Sequence, residues 1–215
     1  MAETPGVIES LFYTKSKNDA GIYLLYFYIN GKKTGVVVDD YIPCRGNRPF
    51  ATSSKTNELW AILIEKAWAK LHGSYARTEG GLPSFACMHL LGTPADSYFH
   101  DDFMEPAKKD EMWARLKRCD AMKYVMMSAS HGQGEVRSQE GVISGHAYSF
   151  IGVKEIMHEG QQVRLCQLRN PWGQGEWTGA WSDNDSVWTD ELRTQLGAKV
   201  EDDGIFFIPF DDYLQ

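Results

Sequence analysis

Two short stretches hold residue types suited to acyl-transfer chemistry. In "SGHAYSFIG", residues 144–152, His146 sits between a glycine and the start of an apolar run. In "QLRNPWGQGEW", residues 167–177, Asn170 precedes a Pro-Trp-Gly turn. A cysteine or serine nucleophile needs a base that removes its proton, and the base needs a third group that fixes its tautomer. Histidine and asparagine fill those two roles when the nucleophile is a cysteine. They lie 170 − 146 = 24 residues apart, room for a strand, a turn and a returning strand. Adjoining antiparallel strand ends would then bring imidazole and amide together. Trp172 would cover their hydrogen bond, and a drier bond is electrostatically stronger.

The elements that must position this pair are legible in the pattern. "KYVMMSAS", "HAYSFIGVKEI", "QVRLCQLRN" and "DGIFFIPF" read as four strands, and "SHGQGEVRSQEGVISG" (130–145) as a long polar loop between the first two. A short helix is expected near 188–197, beside an acidic loop. Upstream, "AKKDEMWARLKRCDA" reads as a helix with Met112, Leu116 and Cys119 on its buried stripe. "TNELWAILIEKAWAKLHG" reads as another, with Trp60, Leu63, Ile64, Ala67, Trp68 and Leu71 on one face. Thr56 or Asn57 would cap its start and Gly73 would stop it. Residues 22–29 and 34–39 read as a hairpin around Asn30-Gly31, a strong turn signal. Both runs are nearly all apolar, so both faces are expected to be covered. Residues 78–106 are punctuated by Gly and Pro and read as the link between two lobes, with room for short structure inside.

Composition bounds the function. The 215 residues are 43% hydrophobic, 24% charged and 13% aromatic, a globular profile with room for one or two compact units. Lys+Arg 22 against Asp+Glu 29 leaves a net charge of −7 and no basic footprint, which argues against a nucleic-acid partner. No run approaches the roughly 18 apolar residues of a membrane span, and no secretory signal opens the chain. Cys44, Cys87, Cys119 and Cys166 form no Cys-x-x-Cys pair, which points to reduced thiols and a cytoplasmic protein. Their even number leaves disulfides open.

The wording around the pair is more specific than its spacing. "GHAYS" with "LRNPWGQGEWTGAWSD" resembles the second subdomain of the calpain protease core, a branch of the papain-like cysteine proteases. "GVVVDDYIP", "NELWAILIEKAWAKLHGSY" and "DGIFFIPFDDYL" resemble calpain segments in the same order. The resemblance covers nearly the whole chain and is weakest at 1–10 and 76–108. It implies an α+β fold of three parts. Residues 1–77 would be a partial helical first subdomain, 78–106 the interlobe link, and 107–215 a complete antiparallel-β second subdomain. It implies a calcium-dependent cysteine endopeptidase acting on polypeptides. His146 would be the general base, Asn170 its orienter, and Trp172 the ring beside them. Gly73 and Gly145 resemble the two backbone positions that flank the bound peptide, where a glycine allows close approach. Glu176, Asp183 and Asp203 resemble the second-subdomain calcium ligands, with a backbone carbonyl from Glu201. Where the family has a glutamate after Asp-Gly, this chain has Ile205, so the site is expected to be weakened, with Asp202 or Asp185 available to compensate. Glu58 resembles a first-subdomain calcium ligand.

One part of the pattern is not found. In calpains the cysteine opens a helix in a Gly-x-Cys-Trp setting, and these 215 residues contain no such setting. Cys44 falls in a loop, Cys87 in the link, Cys119 on a helix stripe and Cys166 inside a strand. The expectation is therefore a core that does not cleave peptides alone, with the thiol encoded upstream, carried by a second chain, or lost. On that view the apolar stripe at Trp60–Leu71 would lack a partner. A non-catalytic calpain-like module that binds a peptide or partner protein is the alternative. Another Cys-His-Asn acyl-transfer enzyme, such as a transglutaminase-like protein, is a third reading, against which the Asn-Pro-Trp-Gly string argues.

Overall fold

The computed structural model describes residues 4–51, 58–132 and 134–215. The chain divides into two compact units, Met1–Asp96 and Ser97–Gln215. Both combine helices with antiparallel strands, the α+β class that the resemblance implies.

The first unit is built on a two-stranded ribbon. A short helix α1 (Val7–Leu11) precedes β1 (Ile22–Ile29) and β2 (Lys32–Asp39), which pair antiparallel across Asn30-Gly31. Both turn residues take positive φ, 49° and 72°, so the turn's twist matches that of the strands. The second strand starts two residues earlier than the apolar run suggested, because backbone pairing continues through Lys32 and Lys33. β3 (Cys44–Arg45) and β4 (Arg48–Pro49) make a second, minimal hairpin.

Helices α2 (Trp60–His72) and α3 (Pro83–Leu91) follow, separated by a 3-10 turn at Tyr75–Thr78. Tyr23, Leu25 and Phe27 of β1 are buried together with Val36 and Val38 of β2, Leu63 and Ala67 of α2, and Leu90 of α3. The alternate β1 side chains are only half-buried or exposed, so the ribbon has one covered face and not two. Apolar runs on a ribbon need only one covered face when aromatic edges such as Tyr13 on Tyr26 shield the other. The α2 stripe does find a partner: it packs on β1, β2 and α3 within this unit. The capping residues Thr56 and Asn57 lie outside the described residues. Gly73 ends α2 in the left-handed conformation, φ 98°. Residues 78–106, read from sequence as a link, contain α3, whose side chains join the first unit's core.

His72 and His89 stack in this unit, ring centroids 5.7 Å apart. His72 Nε2 and His89 Nδ1 are buried without a hydrogen-bond partner among the described residues. Burial first, and then the His72 charge, hold His89 below its ordinary value of 6.5. The folded state therefore favours neutral His89, and the unfolded chain takes up the proton first as pH falls. Stability from this source is complete above pH 6.5 and declines below it. The His89 contribution is read from the difference between wild type and His89→Phe in thermal melts, and that difference is expected to move against the wild type as pH falls from neutral to mildly acid.

The second unit is a four-stranded antiparallel meander. After a 3-10 turn at His100–Phe103 and helix α4 (Pro106–Ala121) come β5 (Met126–Ala129), β6 (Ala147–His158), β7 (Gln161–Arg169), α5 (Asp190–Leu196), β8 (Ile205–Pro209) and α6 (Phe210–Tyr213). The sheet order is β5-β6-β7-β8, all neighbours antiparallel. Phe206 and Ile208 of β8, with Cys166 and Leu168 of β7, pack against Met112 and Trp113 of α4. Leu165 and Phe207 face the other way, onto Trp181, Trp188 and Leu196. The "IFFI" run is thus continuous because both faces of β8 are covered. On α4 the buried pair is Met112 and Trp113, while Cys119 is only half-buried. Trp113 is held because its Nε1 donates to Glu155 Oε2 at 2.6 Å. A bulge between Phe150 and Gly152 breaks the β6–β7 register, and Asp120 of α4 accepts the Val153 N–H there at 3.1 Å. Among the described residues no helix is long and apolar enough to cross a membrane.

Candidate active site

His146 and Asn170 flank two paired strands. His146 immediately precedes β6 and Asn170 immediately follows β7, and Ser149 pairs with Arg169 where those ends meet. The backbone of each is tied to the next strand out. The Ser130 N–H donates to the His146 carbonyl at 3.0 Å, and the His146 N–H donates to Ser130 Oγ at 3.1 Å. On the other side, the Asn170 N–H donates to the Gly204 carbonyl at 2.8 Å, one step beyond the last β7–β8 pair.

The side chains meet as the spacing suggested. His146 Nε2 lies 2.9 Å from Asn170 Oδ1. Asn170 is fully buried and His146 is 6% exposed. The amide's orientation follows from its other contacts. Nδ2 donates to the carbonyls of Gln174 at 2.9 Å and Gly175 at 3.0 Å, and Oδ1 accepts the Trp172 N–H at 3.1 Å. All four hydrogen-bonding positions of the amide are filled, so it has one orientation. Oδ1 then faces the imidazole and takes a hydrogen from Nε2.

Rings close the site on two sides. The Trp172 ring centroid lies 4.6 Å from that of His146, and Tyr148 meets the imidazole edge-on at 5.0 Å. Tyr148 is itself fixed, because its hydroxyl accepts the Ile143 N–H at 2.8 Å. Trp172 is 49% exposed, so it covers the pair on its inner side while its outer side faces water. Gly145 takes φ 59°, and a Cβ there would stand 3.1 Å from the carbonyl oxygens of both Gly132 and Gly134. The loop before the histidine therefore passes too close for a side chain. Gly73 lies in the first unit, with open space where a Cβ would be except for Arg77 at 3.9 Å.

The imidazole's other nitrogen is also engaged. Nδ1 lies 2.9 Å from Glu135 Oε1. Among the described residues neither ring nitrogen meets a sulfur. Cys166 is in the core of the second unit, where burial pushes its thiol far up, and Cys119 sits on α4. Cys44 lies exposed on β3 and Cys87 on α3, where burial raises its thiol.

The acidic residues form a belt behind Asn170. Glu176 Oε1 accepts the N–H groups of Asp203 at 3.1 Å and Gly204 at 2.8 Å. Gly204 in turn holds the Asn170 N–H, so the Glu176 carboxylate supports the asparagine from behind. Burial, aided by the charges of Asp183 and Asp202, pushes Glu176 up to about 7 against the pull of those two N–H groups. Burial and the charges of Asp203 and Glu201 push Asp183 up to about 6. Asp183 Oδ2 accepts the Glu201 N–H at 3.4 Å and Asp203 Oδ1 the Ile205 N–H at 2.9 Å. Asp202 holds the Gly175 N–H and Asp185 the N–H groups of Trp181 and Val187. Asp185 is thus a turn-holder. Glu58 accepts from Trp60 Nε1 at 2.9 Å.

Hard carboxylate oxygens are the right donor type for calcium. Their spacing is another matter: among the described residues no three such side chains converge tightly enough to hold a metal ion. Glu176, Asp183, Asp185, Asp202 and Asp203 are each already engaged with backbone N–H groups.

Sequence reasoning missed Ser130, Glu135, Tyr148 and Gly204. Ser130 and Glu135 lie in a polar loop where spacing carries no signal. Tyr148 was visible only as one apolar residue of a strand.

A family model for calpain family cysteine proteases matches residues 1–215. The chain is 38% identical over 215 residues to the calpain-type cysteine protease DEK1 of Arabidopsis thaliana, which covers 96% of this chain and 10% of that protein. It is 35% identical over 202 residues to calpain-9 of Mus musculus, covering 90% of this chain and 29% of that protein. With calpain-12 of Homo sapiens the identity is 38% over 201 residues, 91% of this chain and 27% of that one. The chain thus spans less than a third of the length of these relatives. A matching family model over the full chain, and a buried His–Asn pair at the ends of two paired strands, lead to one assignment: the chain belongs to the calpain family of cysteine proteases.

Proposed function

We propose that the chain is the base-bearing part of a calpain-type, calcium-dependent cysteine endopeptidase core, and that its own four cysteines do not supply the nucleophile. The observation that carries this is the 2.9 Å contact between His146 Nε2 and the fully oriented, buried Asn170 amide. In that role His146 takes the proton of a thiol at Nδ1 and returns it to the leaving amine. Asn170 keeps the imidazole turned so that Nδ1 faces the reacting atoms. Trp172 limits water at the pair. Gly145 and Gly73, each in its own unit, are the positions where a substrate backbone approaches. The first unit corresponds to part of the first protease subdomain and the second unit to the second subdomain.

Calcium belongs to the same proposal. Glu176, Asp183 and Asp203 would offer carboxylates and Glu201 a carbonyl, after local rearrangement of the hydrogen bonds that now hold them. A bound cation would offset the mutual repulsion that raises Glu176 and Asp183. It takes no step in the chemistry. With Ile205 in place of a further carboxylate, binding is expected to be weak, on the order of 10⁻⁴–10⁻³ M.

A second reading has an observation in its favour. Glu135 already stands on Nδ1, as it could in a module that binds peptides without cleaving them.

The purified chain is expected to give no turnover of a fluorogenic peptide with calcium present, and no change when any cysteine is replaced by serine. Turnover that one such replacement abolishes would refute the proposal. Calorimetric titration with calcium should show weak binding that Asp183→Ala removes. Heat unchanged by Asp183→Ala would detach calcium from this belt.

A further inference from the structure

Both nitrogens of His146 face oxygens that have no hydrogen to give. Asn170 Oδ1 is an acceptor, fixed as such by the bonds of Nδ2 to two carbonyls. Glu135, when ionised, is an acceptor on both of its oxygens. A neutral imidazole with its hydrogen on Nε2 would set a bare Nδ1 lone pair against a carboxylate. A neutral imidazole with its hydrogen on Nδ1 would lose the bond to Asn170. With Glu135 ionised, only the doubly protonated ring makes both contacts.

The surroundings agree with that count. The His146 side chain is 5% exposed and that of Glu135 51%, so the carboxylate reaches inward from the surface. Its backbone is anchored on both sides, because Ser144 Oγ donates to the Gly134 carbonyl at 2.9 Å and the Ser144 N–H to the Val136 carbonyl at 2.9 Å. The other groups packed on the imidazole, the Trp172 and Tyr148 rings and the Asn170 amide, carry no charge. Among the described residues no lysine or arginine pairs with Glu135, so its charge is directed at His146.

We propose that Glu135 occupies the seat of the nucleophilic thiolate, standing on Nδ1 as a counter-anion that holds His146 as imidazolium. This rests on the reading of His146 and Asn170 as base and orienter. In a Cys-His-Asn site the thiolate is the anion on that nitrogen. Glu135 imitates its charge and its hydrogen bond, and keeps the site assembled without a sulfur. While it stays, His146 has no lone pair with which to accept a proton. A thiol brought to the same nitrogen must first displace the carboxylate, so Glu135 is a self-blocking contact on the protease machinery.

Nitrogen-15 spectra of the histidine rings in the full chain at neutral pH test this. The wild type is expected to show both His146 nitrogens proton-bearing. Glu135→Gln is expected to leave the proton on Nε2 and remove it from Nδ1, which then accepts from the new amide. A wild-type His146 with an unprotonated Nδ1, or a ring state unchanged by Glu135→Gln, would overturn the proposal. Glu135 is surface-exposed, and the wild-type spectrum decides the matter even if the variant misfolds. Failure of the underlying reading looks different: Nε2 would carry no proton toward Asn170 in either protein.

Discussion

Gly204→Ala is expected to destabilise the second unit by about 2–5 kcal/mol and to dislodge Asn170. Gly204 has φ +84°, a left-handed conformation that costs other residues roughly 1–2 kcal/mol. A Cβ there would stand 2.6 Å from the Asn170 carbonyl oxygen, 3.1 Å from Gly173 Cα and 3.2 Å from the Gln174 nitrogen. All three are backbone atoms, so no side-chain rotation relieves the contact, and strain of this kind adds about 1–3 kcal/mol. The turn must shift, and the Gly204 carbonyl that holds the Asn170 N–H shifts with it. Gly197 provides the control. It has φ +70° but open space at its Cβ position, so Gly197→Ala carries only the conformational cost. Chemical denaturation should separate the two variants by about 1–3 kcal/mol. Equal losses would show that the turn behind Asn170 is not tightly packed.

Phe206→Ala is expected to cost about 3–5 kcal/mol, the range for removing a fully buried phenylalanine. Phe206 is 1% exposed, sits opposite Leu168 in the sheet, and belongs to the cluster with Met112 and Trp113 of α4. It also meets the edge of Tyr148, ring centroids 6.0 Å apart, and Tyr148 in turn meets His146. The cavity would therefore loosen a ring that walls the site. Phe99, 65% exposed in the same unit, is the comparison, and its replacement by alanine should change stability by less than about 0.5 kcal/mol. A loss below about 1 kcal/mol for Phe206→Ala would mean that the sheet does not pack as described.

Much of the second unit was readable because its signals are local. Four apolar runs separated by turn residues gave four strands, and the 24 residues between His146 and Asn170 fitted one hairpin. The pair's contact followed from that register. The depth of burial did not, because Asn170 owes it to carbonyls of its own turn, at Gln174 and Gly175, and to the ladder bond with Gly204. Spacing carries no information about such tertiary bonds. The same holds for Glu135, one polar residue in a loop of polar residues, whose importance lies in where the loop returns. The acidic belt holds a further role that order along the chain does not show. Acids that resemble a metal cage in order along the chain serve here as acceptors for backbone N–H groups, because turn N–H groups that meet no backbone carbonyl need a side-chain acceptor. In the first unit, α3 was hidden by the Pro and Gly residues around it, although Pro83 is well placed at the first helical turn. The one-sided ribbon was misread because both faces of β1 carry large apolar or aromatic residues, Tyr23, Leu25 and Phe27 on the buried face and Leu24, Tyr26 and Tyr28 on the half-buried one.

The central claim is that His146 serves a thiol which is none of the four in this chain. Alkylation kinetics, followed for each cysteine by peptide mass mapping in the wild type and in His146→Ala, test it most directly. The account predicts that Cys44 reacts as an ordinary exposed thiol, that buried Cys166 reacts slowest, and that His146→Ala changes none of the four rates. One cysteine that alkylates orders of magnitude faster than the others, and loses that advantage in His146→Ala, would contradict it.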